Sequence, residues 1–324
     1  MAFDPDLRPW LATPADLSPH ASLWDAPLAL VDLDSAADEA IALPPCPVIG
    51  FGDTGHPLAE RLDCVVEPPV SLDGLARAVL ARPHAAAVVV SLLRLLPALD
   101  VQAGLEAESL AYAVLQGSAE HRAWLAHQPA RPAMPVGHVR VDREGEVLHI
   151  VLDNPAAGNA IDRTMRDRLH EALSLAALDD SIARVVLAGG GRTFSLGAAL
   201  EEFGTTTDPA TAHAIRARTL PARMAARCAD RLEARVQGGC VGSGLELAAW
   251  ARRIVASPDA WFHLPELAMG ILPGAGGCVS LTRRIGRQRT ALMVLSGKRI
   301  SARKALDWGL VDEIAANPHP ADEG

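Results

Sequence analysis

The part of the chain that most constrains its fold runs from Leu232 to Gly277, where a short apolar segment is followed by glycines and a helix-forming run. Four glycines fall within residues 238–244, between the strand-like segment Leu232–Val236 and a predicted helix over Leu245–Arg253. Small residues at a strand-to-helix junction let a ligand approach the backbone, and the first N–H groups of a helix have no partner within it. This junction therefore indicates a site for an anion or a developing oxyanion.

Ordered motifs flank this junction along the second half of the chain. They are Gly191-Arg192-Thr193-Phe194-Ser195-Leu196-Gly197-Ala198, Glu246-Leu247-Ala248, Phe262-His263-Leu264-Pro265-Glu266 with the turn Gly270–Gly277, and Leu295-Ser296-Gly297-Lys298-Arg299-Ile300-Ser301-Ala302 with Gly309-Leu310-Val311. Their succession resembles the enoyl-CoA hydratase/isomerase (crotonase) superfamily over about residues 137–316. The resemblance implies a crotonase-like spiral of ββα units, and the alternating strands and helices of this part agree with an α/β fold.

The resemblance also implies an oxyanion hole for a thioester carbonyl. Its two donors are the backbone N–H groups of Ala198 and Ser243. The family usually has glycine where Ser243 stands, a change that a backbone donor tolerates. Without the other motifs, both positions would indicate only tight turns.

Two carboxylates match the family's catalytic positions, Glu246 and Glu266. Hydration of a 2-enoyl thioester needs a water activated for attack at C3 and a proton delivered to C2, which two carboxyl groups sharing one water can supply. Separately, Glu246 would be typical of a helix start and Glu266 of a surface glutamate. Both at the matched positions favour catalysis, without deciding which one is the acid.

The resemblance places coenzyme A, as part of the substrate, near Arg192, Leu196 and Leu200, and it implies no resident cofactor and no metal. Two departures weaken the match. The family's Gly-Ala-Asp is Gly197-Ala198-Ala199 here, and the segment Asp153–Ala160 lacks the family's arginine. We expect them to affect the exact reaction and not the fold.

These observations favour an enoyl-CoA hydratase. Isomerisation, thioester hydrolysis, cofactor-free oxygenation of an aromatic acyl-CoA and non-catalytic acyl-CoA binding remain open. The acyl chain is not readable, because variable loops such as residues 204–218 form the pocket wall. The resemblance implies a homotrimer or a dimer of trimers. We expect a packing role for Tyr112, in a core or an interface, and a packing or solvent-facing position for His263.

Composition excludes several other functions. The formal net charge of −9 argues against nucleic-acid binding. The five cysteines are scattered, without a C-x-x-C pair or a preceding secretory leader, and this predicts reduced thiols and a cytoplasmic location. Arg94 and Pro97 interrupt the longest apolar run, so no membrane-spanning helix is predicted. No His, Asp or Glu grouping has metal-ligand spacing.

The N-terminal half has a different pattern. Strands are predicted at 29–34, 47–51 and 64–67, and helices at 75–81, 84–96 and 105–126. A proline-rich segment, 127–137, is the best linker candidate. We therefore predict an extension over residues 1–130, a crotonase-like core over 137–316 and a disordered tail over 317–324.

The order of elements within residues 60–130 resembles the helices that crotonases carry after their Gly-Leu-Val strand, and only a short segment follows that strand here. We hypothesise that residues 60–130 are a displaced crotonase tail that docks where those helices would sit, on the same subunit or a neighbour. The alternative is an unrelated small α/β domain. A structure without contacts between residues 60–130 and 240–316 would reject the hypothesis.

Overall fold

The N-terminal half combines a small parallel sheet with four helices in the computed structural model, which describes residues 5–129 and 134–316. The elements are β1 (Ala29–Asp32), β2 (Val48–Phe51), β3 (Cys64–Val65), α1 (Leu72–Ala81), α2 (Pro83–Leu95), α3 (Val101–Gln116) and α4 (Ala119–Ala126), with short 3-10 helices at Pro5–Trp10, Ala59–Arg61 and Leu96–Ala98. The predicted helix 105–126 is two helices, because the Ser118 hydroxyl accepts a hydrogen bond from His121 N–H and starts α4. Of the predicted linker 127–137, residues 130–133 lie outside the described residues, as does the predicted tail 317–324.

The second half alternates strands and helices as the motifs indicate. Its elements are β4 (His138–Glu144), β5 (Val147–Asp153), α5 (Arg163–Leu178), β6 (Arg184–Gly189), α6 (Pro209–Thr219), α7 (Pro221–Arg227), β7 (Leu232–Val236), β8 (Gly239–Val241), α8 (Ser243–Ala248), β9 (Arg253–Ala256), β10 (Trp261–His263), α9 (Gly277–Ser296), β11 (Ile300–Ser301), α10 (Ala302–Asp307) and β12 (Glu313–Ile314), with 3-10 helices at Pro155–Ala157, Leu200–Glu202, Ala229–Arg231 and Glu266–Met269.

Two sheets position the candidate site. One has six strands in the order β12-β9-β7-β6-β5-β4, parallel except for the β4–β5 pair, and the other has the order β11-β10-β8. The predicted helix Leu245–Arg253 is wrong in extent. It runs from Ser243 to Ala248, because Arg252 N–H donates to Ala229 O and Arg253 enters β9 beside β7.

A continuous apolar core joins the two halves. Helices α1, α2 and α3 pack on α9, and the buried side chains include Leu75, Val89, Leu93, Leu281 and Leu292. Polar contacts reinforce this packing at the edge of the core. Gln288 Nε2 donates to the carbonyls of Ala59 at 2.6 Å and Leu62 at 2.9 Å, and Glu67 pairs with Arg289 and Lys304 at 3.2 Å each.

Residues 60–130 therefore contact residues 240–316, and the result that would reject the displaced-tail hypothesis is not observed. The hypothesis itself stays a proposal, because packing does not reveal where a segment came from.

Arg94, which interrupts the apolar run of α2, pairs with a buried carboxylate. Asp63 is 2% exposed, and its carboxylate accepts hydrogen bonds from Arg94 Nη2 at 2.6 Å, Arg94 Nε at 2.8 Å and Val48 N–H at 2.8 Å. The ion pair thus fastens α2 to the small sheet.

Among the described residues, no single helix is long and apolar enough to cross a membrane, and only the helix pair Leu72–Ala81 and Pro83–Ala98, bent by 106°, reaches that length and composition.

Candidate active site

The glycine-rich junction and the Ala198 loop border one cavity with backbone N–H groups. Gly242 precedes α8 with φ 47° and ψ −125°, a conformation that favours glycine, and the helix begins at Ser243. The N–H groups of Ser243 and Ala198 donate to no acceptor within residues 5–129 and 134–316. Both residues line the same cavity, so the structure brings the two predicted oxyanion-hole donors together.

Two residues that the sequence analysis gave no role hold the Ala198 loop in place. Buried Ser195 donates its hydroxyl to Asn159 O at 2.8 Å and accepts from Gly197 N–H at 3.2 Å. Asn159 has φ 54°, and its side-chain N–H₂ donates to Gly190 O and Thr193 O at 2.8 Å each. A buried asparagine in the left-handed region marks such a positioning role, but the sequence does not reveal its conformation.

The cavity has a volume of about 480 Å³. Its lining includes the predicted residues Glu246, Glu266, Ala198, Ser243, Leu196 and Leu200. A second, smaller cavity adjoins it at Leu196, Ala198 and Leu200. Arg192 is exposed and belongs to neither lining, unlike the other six predicted site residues.

Glu246 is a buried carboxyl group held by two backbone donors. It is 2% exposed, and its Oε2 accepts hydrogen bonds from Ala275 N–H at 2.6 Å and Gly277 N–H at 2.9 Å. Burial raises the pKa of Glu246 to about 7, although the two hydrogen bonds act in the opposite direction.

Glu266 is also a buried carboxyl group, and it is 7% exposed. Its Oε2 has no hydrogen-bond partner in the described part of the chain, and neither has the buried Ser243 hydroxyl. Burial, and then the charge of Glu246, raise the pKa of Glu266 well above its usual range. Burial thus favours the protonated form of both carboxyl groups, and Glu246 is close to its midpoint near neutral pH.

A third buried carboxyl group, which the sequence analysis missed, comes from the N-terminal half. Glu108 on α3 is 1% exposed and accepts hydrogen bonds from Gly276 N–H at 2.6 Å and Val279 N–H at 3.3 Å. Burial, and then the charge of Glu246, raise the pKa of Glu108 well above its usual range. Because its partners lie far along the chain, no local pattern could have identified it.

Helices α3 and α4 also form part of the cavity wall through Tyr112, Gln116 and His121. The expectation of a packing role for Tyr112 is incomplete, because its ring faces the cavity and presses on Gly274, where an added Cβ would lie 2.1 Å from Tyr112 Cδ2. His121 Nδ1 lies 2.9 Å from Met269 O, and burial lowers the pKa of this histidine.

His263 lies outside the cavity lining. Its Nε2 is 2.9 Å from Gly297 O, and burial lowers its pKa. This placement agrees with the packing role expected from the sequence.

The segment 204–218, expected as a variable loop, is mostly helical. Asp208 caps α6 by accepting from Thr211 N–H at 2.8 Å, and α6 presents Ala212, Ile215 and Arg216 to the cavity. Helix α6 and the non-helical residues 204–206 before it therefore form this wall together. Within the described ranges, no three His, Cys, Asp or Glu side chains cluster as metal ligands would.

Comparison with known proteins gives the same family as the motifs. A family model described as "Enoyl-CoA hydratase/isomerase" matches residues 142–322, more than half of the chain. The 2,3-dehydroadipyl-CoA hydratase of Escherichia coli K12 is 40% identical over 54% of this chain and 68% of its own length. The mevalonyl-coenzyme A hydratase SIDH of Beauveria bassiana is 33% identical over 52% of this chain and 63% of its own length.

A crystal structure of an enoyl-CoA hydratase/isomerase from Mycobacterium paratuberculosis aligns with a TM-score of 0.52 and 26% identity, over 58% of this chain and 76% of that one. The chain thus spans about two thirds of the length of the two curated relatives and three quarters of this structure. The motifs, the α/β architecture and these matches agree, and the chain belongs to the enoyl-CoA hydratase/isomerase family.

Proposed function

We propose that this protein is a hydratase that adds water across the C2=C3 double bond of a 2-enoyl-CoA thioester. One observation carries the proposal: two backbone N–H groups that have no acceptor in the described part of the chain line a single cavity with two buried carboxyl groups. The relatives named as hydratases support the same reaction class.

The thioester carbonyl is expected at the junction between the Ala198 loop and α8. There its oxygen would accept hydrogen bonds from the Ala198 and Ser243 N–H groups, whose directions are fixed before substrate arrives. Attack at C3 pushes charge onto this oxygen as an enolate, and each preorganised donor lowers the barrier by about 3–4 kcal/mol.

The two glutamates divide the proton transfers according to their pKa values. Glu246, with a pKa of about 7, accepts a proton from water as the water oxygen bonds to C3. Glu266, whose raised pKa favours the protonated form, donates its proton to C2, which completes the addition. Proton exchange with solvent then returns Glu246 to its ionised form and Glu266 to its protonated form.

The smaller cavity supports the predicted coenzyme A position. Leu196 is 44% exposed, and with Leu200 it borders both cavities, which suits an apolar segment that leaves the site towards solvent. Arg192 is exposed near this loop, and we propose that it meets a phosphate of coenzyme A. We also propose assembly as a homotrimer or dimer of trimers, which a solution mass measurement tests.

The proposal is tested with a panel of enoyl-CoA thioesters, by following the loss of conjugated absorbance. Glu246→Gln and Glu266→Gln should each lower kcat by about a hundredfold to ten-thousandfold while leaving thioester affinity within about threefold. The matched control is Glu171→Gln on the exposed face of α5, which should leave kcat unchanged.

Other outcomes favour the alternatives. Release of free coenzyme A identifies a hydrolase, a shifted double bond an isomerase, and oxygen consumption an oxygenase. Binding without turnover of any thioester identifies a non-catalytic acyl-CoA binding subunit.

A further inference from the structure

We infer that the acyl group received by this cavity ends in a carboxylate, which Arg216 binds. The inference rests on the proposed function of the cavity as a thioester site and names the class of acyl group within it.

The charges of the cavity wall single out Arg216. Three arginines line the cavity, and two of them have carboxylate partners: Arg163 with Glu202 at 3.7 Å, and Arg166 with Asp167 at 2.7 Å. Arg216 has no carboxylate within 4.0 Å among residues 5–129 and 134–316. A half-buried cation without a counter-ion is costly, and an anionic ligand would offset that cost.

Neutral oxygens hold Arg216 in place without cancelling its charge. Its Nε donates to Ser109 Oγ at 3.1 Å, its Nη2 to Ser109 O at 3.2 Å and its Nη1 to Gln116 Oε1 at 3.3 Å. A guanidinium group has five N–H donors, so two remain for a ligand. The fork is thus positioned for the planar recognition that arginine gives carboxylates.

Neither neighbouring acidic group forms an ion pair with Arg216 within the described residues. Glu108, one turn before Tyr112 on α3, instead accepts hydrogen bonds from Gly276 N–H at 2.6 Å and Val279 N–H at 3.3 Å. His213 lies between Glu106 and Ser109, with its Nε2 3.2 Å from Glu106 and its Nδ1 2.9 Å from Ser109 Oγ. Glu106 is instead paired with Arg223 at 2.7 Å.

Tyr112 gives the direction of the acyl chain. Its ring presses on Gly274, next to the Ala275 N–H that holds Glu246, while the guanidinium carbon of Arg216 stands over the same ring, 4.5 Å from its centroid. An acyl chain that starts at the acid pair and runs along Tyr112 therefore reaches Arg216. The wall beside that path is apolar, including Ile215 and Leu220.

The test compares the affinities of saturated dicarboxylyl-CoA and monocarboxylyl-CoA thioesters of equal chain length by isothermal titration calorimetry. Saturated thioesters cannot be hydrated, so binding is measured apart from turnover. The wild-type protein should prefer the dicarboxylyl thioester of fitting length by about tenfold to a hundredfold. Arg216→Gln should remove this preference, and Arg166→Gln, a charge-paired arginine of the same cavity, should keep it.

Equal affinities in the wild-type protein would overturn the inference, even if a variant does not fold. Loss of the preference in Arg166→Gln as well as Arg216→Gln would also overturn it, by showing a general attraction of the cavity for anions. If neither class of thioester binds, the proposed function itself fails. If both classes bind equally well, only the inference that the acyl group ends in a carboxylate is rejected.

Discussion

Glu108, on a helix of the N-terminal half, accepts a hydrogen bond of 2.6 Å from the backbone N–H of Gly276, 168 positions later in the chain. The neighbouring N–H groups of Ala275 and Gly277 both donate to Glu246. Three successive N–H groups of this turn therefore donate in spatial alternation to Glu246, the proposed catalytic carboxylate, and to Glu108 of α3. This interleaving supports our proposal that residues 60–130 complete the candidate site.

Replacing Glu108 should disturb both stability and catalysis. Glu108→Ala leaves two buried N–H groups without acceptors and should lower the free energy of unfolding by about 2–4 kcal/mol in urea denaturation. It should also lower kcat/KM, because the turn that holds Glu246 loses support, whereas Glu108→Gln keeps an acceptor and should lose less. Glu106→Ala, on the same helix but part-exposed, should cost less than about 1 kcal/mol. Equal effects at the two positions would contradict the role of Glu108.

The activity should depend on pH through the glutamate pair. Below about pH 7, Glu246 is protonated and cannot accept a proton from water, so kcat/KM should rise as the pH increases through about 7. At higher pH, Glu266 loses the proton that it must donate, and kcat/KM should fall again. The two apparent values belong to the pair, since each charge affects the other. A flat profile between about pH 5 and pH 10 would rule out this division of roles.

The contact between Gly274 and Tyr112 leaves no room for a methyl group. Gly274→Ala would place its Cβ 2.1 Å from the ring and should destabilise the protein by about 1–3 kcal/mol, with a higher KM as Tyr112 shifts into the cavity. Adding Tyr112→Ala should relieve the clash, which a double-mutant cycle measures as a favourable coupling. Gly117→Ala is the control, because its Cβ would meet Pro209 at an ordinary 3.4 Å. Additive effects of the first two substitutions would disprove the clash.

The buried pair of Asp63 and Arg94 should be sensitive to loss of one partner. Arg94→Leu leaves a carboxylate that is 2% exposed with only the more distant Arg287, at 3.8 Å, as a counter-ion, and the free energy of unfolding should fall by about 3 kcal/mol. The double variant with Asp63→Asn should recover part of this loss. Arg140→Leu, whose pair with Asp153 lies at the surface, serves as the control and should change stability by less than about 1 kcal/mol. An Arg94→Leu variant as stable as this control would refute the buried pair.

The sequence predicted the parts of the site that are determined by residues close together along the chain. Strand Leu232–Val236 has the predicted bounds, and the glycine junction and both glutamates meet at one cavity. The predicted helix Leu245–Arg253 extends beyond the observed helix end. Its alanine-rich end has high helix propensity, but the pairing of β9 with β7 determines where the helix stops.

Glu108, Tyr112 and Arg216 could not be placed from the sequence. Their roles follow from how α3 packs against α6 and the second glycine turn, and no spacing within either segment encodes that contact.

The apolar core shared by α1, α2, α3 and α9 also bears on how the protein is made. During translation, α1, α2 and α3 emerge long before α9. The apolar face that α9 will cover therefore stays exposed to solvent until most of the chain has left the ribosome. Nascent chains that pause before that point expose an apolar surface on which other chains can aggregate. Slow synthesis, or a shortage of holding chaperones, should therefore lower the yield of folded protein.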